Sequence, residues 1–457
     1  RDHLRSEGLH PDKGAVAVRM DASDYSALAY LALLCGRFVI HILDANAAGQ
    51  ASRLEQCPSQ AVLRNAKEPA SESDPASSLR TFFVDQIDLD RTRRVSADEI
   101  HGDLDDVMFI EYTSGSTGAP KSCETVQFRV AHWARWHQFH FPSRDHRDAY
   151  SLFWIWYWHI GLVNGSTVVV WPNWQNKDVS SMMRYFAEKK VTRCNCLTPG
   201  LISALLAVET DLPPSLKVMF SGGEGLPLPT CKQWLSRWSH VELISNYAIT
   251  EGAADICFLR IDEKIANWKD KNFAPITQNI IAWNNRIEVE NEALYIIGWS
   301  IANGYCPPSA SDAFTLAADG RNNRYRTGDR VAWEDGYLFI QGRMDSVVKI
   351  RGFRIDLDGI TALLSSCTHV TDVSVRAQSE SIWVLAVTKN LALVQEFAKE
   401  KYANAHLIVW RAVDQLPITK SGKKDNRRIS QLIEELAEAE EDSLQQEELS
   451  EAEERVA

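Results

Sequence analysis

Apolar positions along the chain fall into short runs separated by stretches with helical spacing. From Tyr25 to Leu34, Ala and Leu recur at intervals that predict a helix. Phe38 to Leu43 is a compact apolar run and predicts a buried strand. Residues 65–80, with Glu, Pro, Ser and Ala, read as a surface loop. Val107 to Tyr112 predicts a strand that runs straight into a glycine-rich segment, and Thr167 to Trp171 and Lys217 to Phe220 predict two more. Strands alternating with helices imply an α/β fold with a parallel or mixed sheet covered on both faces. After about residue 345 the pattern restarts as a small α+β unit that ends near Ser430. The Glu- and Ala-rich stretch 431–457 reads as a solvated helix or linker.

Composition narrows the class. With 457 residues and 45% hydrophobic content, the chain exceeds one ordinary domain. A net charge of -12 argues against nucleic acid as the main partner. Nine cysteines include no CxxC pair; Cys194 and Cys196 are too close for a zinc knuckle and fit alternation along a strand. Free thiols in a cytoplasmic enzyme are expected. No apolar run is long enough to span a membrane and no signal peptide opens the chain, so no membrane partner is expected. The start at Arg1 reads as that of a piece of a longer protein.

The first candidate chemistry is Tyr112-Thr113-Ser114-Gly115-Ser116-Thr117-Gly118-Ala119-Pro120-Lys121. Glycines let the backbone bend and expose its N–H groups, hydroxyls flank them, and a lysine closes the segment. Such donors suit a polyphosphate, while a flexible Ser/Gly loop is the plainer alternative. A Walker loop is excluded, because Pro120 stands where that motif needs glycine.

This segment resembles the phosphate-binding loop of the adenylate-forming superfamily, and further segments match that family in order. They are Ser221-Gly222-Gly223-Glu224, Asn246-Tyr247-Ala248-Ile249-Thr250-Glu251, Glu292 through Tyr305, and Tyr325-Arg326-Thr327-Gly328-Asp329. They continue with Gly342-Arg343-Met344-Asp345, Lys349 to Ile355, and Leu416-Pro417-Ile418-Thr419 with Gly422-Lys423. The resemblance covers about residues 15–430 and is strongest to adenylation domains of nonribosomal peptide synthetases. It implies a large N-terminal domain of sheets sandwiched by helices, residues 1–344. A small mobile C-terminal α+β domain, 345–430, would turn about a hinge at Asp345, and 431–457 would be an acidic tail.

By the same resemblance a carboxylate attacks the α-phosphorus of ATP and pyrophosphate leaves. Thr113, Ser114 and Thr117, with Gly115, Ser116 and Gly118, would surround the phosphates, and Lys121 would lie near the loop's end. Glu251 would hold Mg²⁺, as one carboxylate suffices for an ion that keeps several waters, and Thr250 would meet phosphate. Gly222, Gly223, Glu224, Asn246 and Tyr247 would flank the adenine. Asp329 would accept from the ribose hydroxyls with Arg343 assisting. Lys423 would reach the carboxylate and α-phosphate together, as a mobile point charge.

Two departures bear on the substrate. The usual Gly-Pro before Thr-Glu is Ala248-Ile249 here, which reshapes the turn but retains Thr250 and Glu251. The aspartate that binds an α-ammonium in amino-acid-activating members falls on Leu152, and residues 151–163 contain no acid. A local shift would bring in Asp148 instead. The other pocket positions are Phe153, Trp156, Cys196, Met219, Ser221, Asn246, Ala254 and Asp255. Asp255 is the one acid assigned to the pocket, so the expected substrate is a small acid with a cation remote from its carboxylate, or one without an amine. The acyl acceptor would be a carrier-protein phosphopantetheine thiol or free coenzyme A. A non-catalytic nucleotide-binding descendant is the remaining alternative.

Overall fold

The computed structural model describes residues 1–439 apart from 21–22, 44–49, 67–74, 88–101, 113–120, 143, 152–160, 172–177, 209, 270, 272, 278–279, 307–312, 345, 351–352, 379–380, 403–404 and 420–422. Among the described residues the strands form five sheets.

The first sheet runs, in spatial order, Tyr305–Cys306, Ser122–Val126, Val107–Tyr112, Ile40–Ile42, Ala15–Val18, Ser59–Arg64 and Thr81–Phe83. It is parallel from Val107–Tyr112 onward and antiparallel at the other edge. Ala15–Val18 is buried at every position, as a parallel strand covered on both faces requires. The second sheet runs Ala254–Arg260, Glu242–Ile249, Val218–Gly222, Arg193–Leu197, Arg147–Ser151 and Thr167–Trp171, parallel except for its first strand.

A continuous apolar core joins these two sheets through the helices Asp24–Cys35 and Gln127–His140. Trp136 stacks on Phe258 at 4.6 Å, and Phe220 meets Phe141 edge-on at 4.9 Å. The opposite face of the second sheet is covered by helices Val179–Glu188, Pro199–Leu206 and Leu228–Trp238, which enclose Met219, Leu243 and Leu259. Three of these helices begin at a side-chain cap: Ser23, Asp178 and Thr198 each accept a backbone N–H of the first turn.

The third sheet is antiparallel, with Asn323–Glu334 pairing with Ala293–Gly298, Phe314–Leu316 and Tyr337–Arg343. Beyond it, the hairpin Val347–Ile350/Phe353–Asp356 and the sheet Asp372–Gln378, Ser381–Val387, Ile408–Val413 share a core of their own with the helices Leu357–Ser365 and Leu391–Lys401. This unit touches the third sheet through an Asp356–Arg330 ion pair and through Asp358, which accepts the Arg343 N–H at 2.8 Å.

Several expected elements appear with small changes of boundary. The helix expected at Tyr25–Leu34 spans Asp24–Cys35, the first strand shortens to Ile40–Ile42, and Lys217–Phe220 becomes Val218–Gly222. Two expectations need correction. The 65–80 segment is not all surface: a short helical turn at Pro75–Ser78 buries Ala76 completely. The break at 430 falls inside a helix over 426–439, whose Ile433 is buried against Trp383, Leu385 and Leu416 and is not solvated.

Candidate active site

The residues expected at the nucleotide lie where Asn323–Glu334 and Tyr337–Arg343 pair, with Asp329 directly across from Arg343. Gly328 has φ +79°, and a Cβ there would lie 2.8 Å from Arg343 Nη2. Glycine thus lets the guanidinium fold back over the turn. Arg343 Nη1 donates to Thr327 O at 2.9 Å and lies 3.3 Å from Asp329 Oδ1. Thr327 Oγ1 donates to Leu294 O at 3.1 Å and receives the Asp329 N–H at 3.0 Å. The Tyr247 hydroxyl donates to Asp329 Oδ2. Burial raises the Asp329 carboxyl above its ordinary range, against the lowering influence of Tyr247 and Arg343. Burial, with Asp329 adding to it, pushes the Tyr247 phenol far upward, so it remains a donor.

Glu251 sits on the turn Thr250–Gly252, which ends in a left-handed Ala253. Its side chain is buried, and Oε1 accepts hydroxyl bonds from Tyr305 and from Tyr325, each at 2.7 Å. Among the described residues no cation lies within ion-pair distance of it. A buried carboxylate in this state is costly without a cation, so the site fits a divalent ion. Among the described residues no three His, Cys, Asp or Glu form a metal cage. An ion here would therefore be held by one carboxylate together with phosphate oxygens and water. Lys121 Nζ stands 5.0 Å over the Tyr305 ring. The expected phosphate-loop residues Thr113, Ser114, Gly115, Ser116, Thr117 and Gly118 lie outside the described residues.

The pocket end is set by the second sheet. A bulge between Tyr247 and Ala248 places Ala248 opposite Asp255 and so turns Asp255 toward the side of Asn246. Asn246 Nδ2 donates to Asp255 Oδ1 at 2.6 Å, with both residues buried. A Cβ on Gly222 would lie 2.1 Å from Asn246 Oδ1, so only glycine fits beside that amide. Met219 is among the expected pocket positions. It belongs to the core on the opposite face, with Leu243 and Leu259, while Phe220 lies on the face covered by the Gln127–His140 helix. Strand alternation puts Ser221 on the Met219 side as well. The positions facing Asn246 and Asp255 are therefore Phe220 and Gly222. Leu152, Phe153 and Trp156 lie outside the described residues, as do the side chains of Cys196 and Ala254.

Asp148 is engaged elsewhere. Arg193 Nε donates to its Oδ1 at 2.9 Å, Arg193 Nη2 reaches Oδ2, and the Tyr150 hydroxyl donates to Oδ2 at 3.0 Å. Asp148 is 0% exposed and the Arg193 side chain 2%. This bidentate pair consumes the one carboxylate that a shifted alignment would offer to an α-ammonium.

Lys423 lies in a tight loop in which Thr419 N donates to Lys423 O at 2.7 Å and Lys423 N to Thr419 Oγ1 at 3.2 Å. The next backbone N–H, of Lys424, points at Glu224 Oε1 at 3.5 Å. The lysine loop thus meets the Gly222–Glu224 turn, 200 residues away in sequence. Asp345 lies outside the described residues. The structure brings together Tyr247, Asp329 and Arg343, and separately Asn246, Asp255 and Gly222. Sequence reasoning misses the roles of Tyr305 and Tyr325, although both lie in family-like segments.

Fold and sequence together define the class of protein. Residues 2–305 match the AMP-binding enzyme family, and the chain belongs to it. It is 27% identical over 364 residues to a dimodular nonribosomal peptide synthase of Bacillus subtilis, covering 70% of this chain and 15% of that protein. It thus spans a small part of the length of such relatives. It is 25% identical over 358 residues to the D-alanine–D-alanyl carrier protein ligase of Staphylococcus epidermidis, covering 72% of each. Its fold is shared with the O-succinylbenzoate coenzyme A synthetase of Bacillus subtilis in complex with ATP and magnesium ion, at TM-score 0.74 and 18% identity, covering 92% of this chain and 90% of that one. Among the described residues no helix is long and apolar enough to cross a membrane.

Proposed function

We propose that this chain activates a small carboxylic acid with ATP, forming an acyl-adenylate and releasing pyrophosphate. The observation that carries this reading is a pair of carboxylates in unlike states, Glu251 buried and Asp329 partly so. Asp329 is held by Arg343 and Tyr247, whereas Glu251 has hydroxyl donors and, among the described residues, no cation. Asp329 is suited to accept from ribose hydroxyls, and Glu251 to hold Mg²⁺, which neutralises phosphate charge when bound. Thr113, Ser114, Thr117 and Lys121 contact the phosphates. The substrate carboxylate attacks the α-phosphorus, the bond to the bridging oxygen breaks, and pyrophosphate departs. Lys423 neutralises charge on the attacking oxygen and the α-phosphate. Residues 1–344 and the unit that follows Asp345 act as two domains hinged at that residue, which bring Lys423 in and withdraw it.

An ordinary α-amino acid is disfavoured: Leu152 replaces the usual anchor, and Asp148 is bound to Arg193. The substrate carries a cation remote from its carboxylate, which Asp255 receives, or it lacks an amine. The second product is a thioester on a carrier-protein phosphopantetheine thiol, a reading supported by likeness to a carrier protein ligase. Free coenzyme A is the alternative acceptor. Lys423→Ala should retain ATP binding and lose acid-dependent pyrophosphate exchange; a variant that keeps most exchange contradicts the assignment. Asp255→Asn should cripple exchange with an ω-amino acid and spare a neutral acid.

A further inference from the structure

We propose that Tyr305 and Tyr325 are positioning residues that fix the Glu251 carboxylate for metal binding, and that the Tyr305 ring couples this carboxylate to the end of the phosphate loop. The proposal rests on the reading of Glu251 as the Mg²⁺ carboxylate. The two hydroxyls come from separate segments, lie 3.2 Å apart, and both donate to Oε1. Two donors fill the lone-pair directions of that oxygen and leave the other, Oε2, as the atom that would hold an ion.

Tyr305 has a second contact. It pairs across the first sheet with Cys123, and its ring lies under Lys121 Nζ at 5.0 Å. One side chain therefore touches the cation at the end of the phosphate loop with its face and the Glu251 carboxylate with its hydroxyl. The hydroxyl and the ring have separable effects.

Partners that orient a metal's ligands commonly contribute about 10-fold or more in metal affinity. The test uses the full chain and follows ATP binding by calorimetry as Mg²⁺ is titrated, with ATP in chelator as the metal-free reference. Tyr305→Phe/Tyr325→Phe should raise the half-saturating Mg²⁺ by about 10-fold and leave metal-free ATP binding unchanged. Pyrophosphate exchange should return at high Mg²⁺, which a merely misfolded variant would not show. Each single Phe variant should give a smaller shift of the same sign, and serves if the double variant does not fold. Tyr305→Leu should in addition weaken metal-free ATP binding, because the ring under Lys121 is lost. An unchanged or lower Mg²⁺ requirement in the Phe variants overturns the proposal. Glu251→Gln separates the two levels: if it leaves the Mg²⁺ requirement unchanged, the Glu251 assignment fails. If it abolishes that requirement while the Phe variants do not alter it, only the role of the tyrosines fails.

Discussion

Asp148→Asn tests whether the carboxylate nearest the missing α-ammonium anchor is structural. The substitution keeps side-chain volume but removes the charge facing Arg193. The guanidinium would remain 2% exposed, with its Nη1 bond to Phe141 O at 3.1 Å and a neutral amide in place of the carboxylate opposite Nε and Nη2. Breaking one side of such a buried pair costs about 3–5 kcal/mol. Replacing both sides by apolar groups is often near neutral, so Asp148→Leu/Arg193→Met should recover much of the loss. The pair also holds strands Arg147–Ser151 and Arg193–Leu197 in register, where Asp148 faces Arg193. The assay is thermal unfolding of wild type, Asp148→Asn and the double variant, with pyrophosphate exchange measured well below the transition. Asp148→Asn should melt several degrees lower, with an unchanged KM for the acid. A variant with unaltered melting and a KM for an α-amino acid raised tenfold or more would show that Asp148 is the substrate anchor after all.

Two further predictions concern pH. Burial raises Asp329 above its unfolded value, so its contribution to stability is present at low pH and is lost as pH rises through the folded value. Asp329→Asn should therefore gain in melting temperature relative to wild type more at pH 7 than at pH 4, while losing ATP affinity; a pH-independent difference refutes the argument. His41 lies with Nδ1 2.9 Å from Ser59 Oγ and Nε2 2.8 Å from the Tyr112 hydroxyl, and burial, with Arg53 adding to it, lowers it to about 4. The unfolded chain binds the proton first on acidification, so up to about 3 kcal/mol is lost as pH falls from 6.5 through about 4. His41→Gln should flatten that part of the acid unfolding curve, and an equally steep curve would show that another group is responsible.

The strands that read most clearly in the sequence are those with a single physical meaning. Val107–Tyr112 and Thr167–Trp171 match their expected bounds. Val218–Gly222 shows what periodicity cannot give. A strand buried on both faces is apolar at consecutive positions, so nothing in Met219-Phe220 says which residue faces which core. The family-like order of segments locates Glu251 and Asp329, but their partners depend on distant pairing. Tyr325 is 74 residues from Glu251, and Asp329 is 82 from Tyr247. The Asp148–Arg193 pair is equally hidden, because its partners meet only through parallel pairing of strands 45 residues apart. The Glu-rich outer face of the last helix obscures its extension past 430, although Ile429 and Ile433, one turn apart, carry the inward stripe.

The central claim is carboxylate adenylation, and acid-dependent exchange of labelled pyrophosphate into ATP tests it most directly. The panel should include α-amino, ω-amino, betaine, keto, hydroxy, aryl and fatty acids, each run with wild type and Lys423→Ala. The account predicts exchange with a small ω-amino, betaine, keto, hydroxy or aryl acid, abolished in Lys423→Ala. Absence of exchange with every acid while ATP still binds would contradict it, and would leave a nucleotide-binding descendant that has lost the reaction.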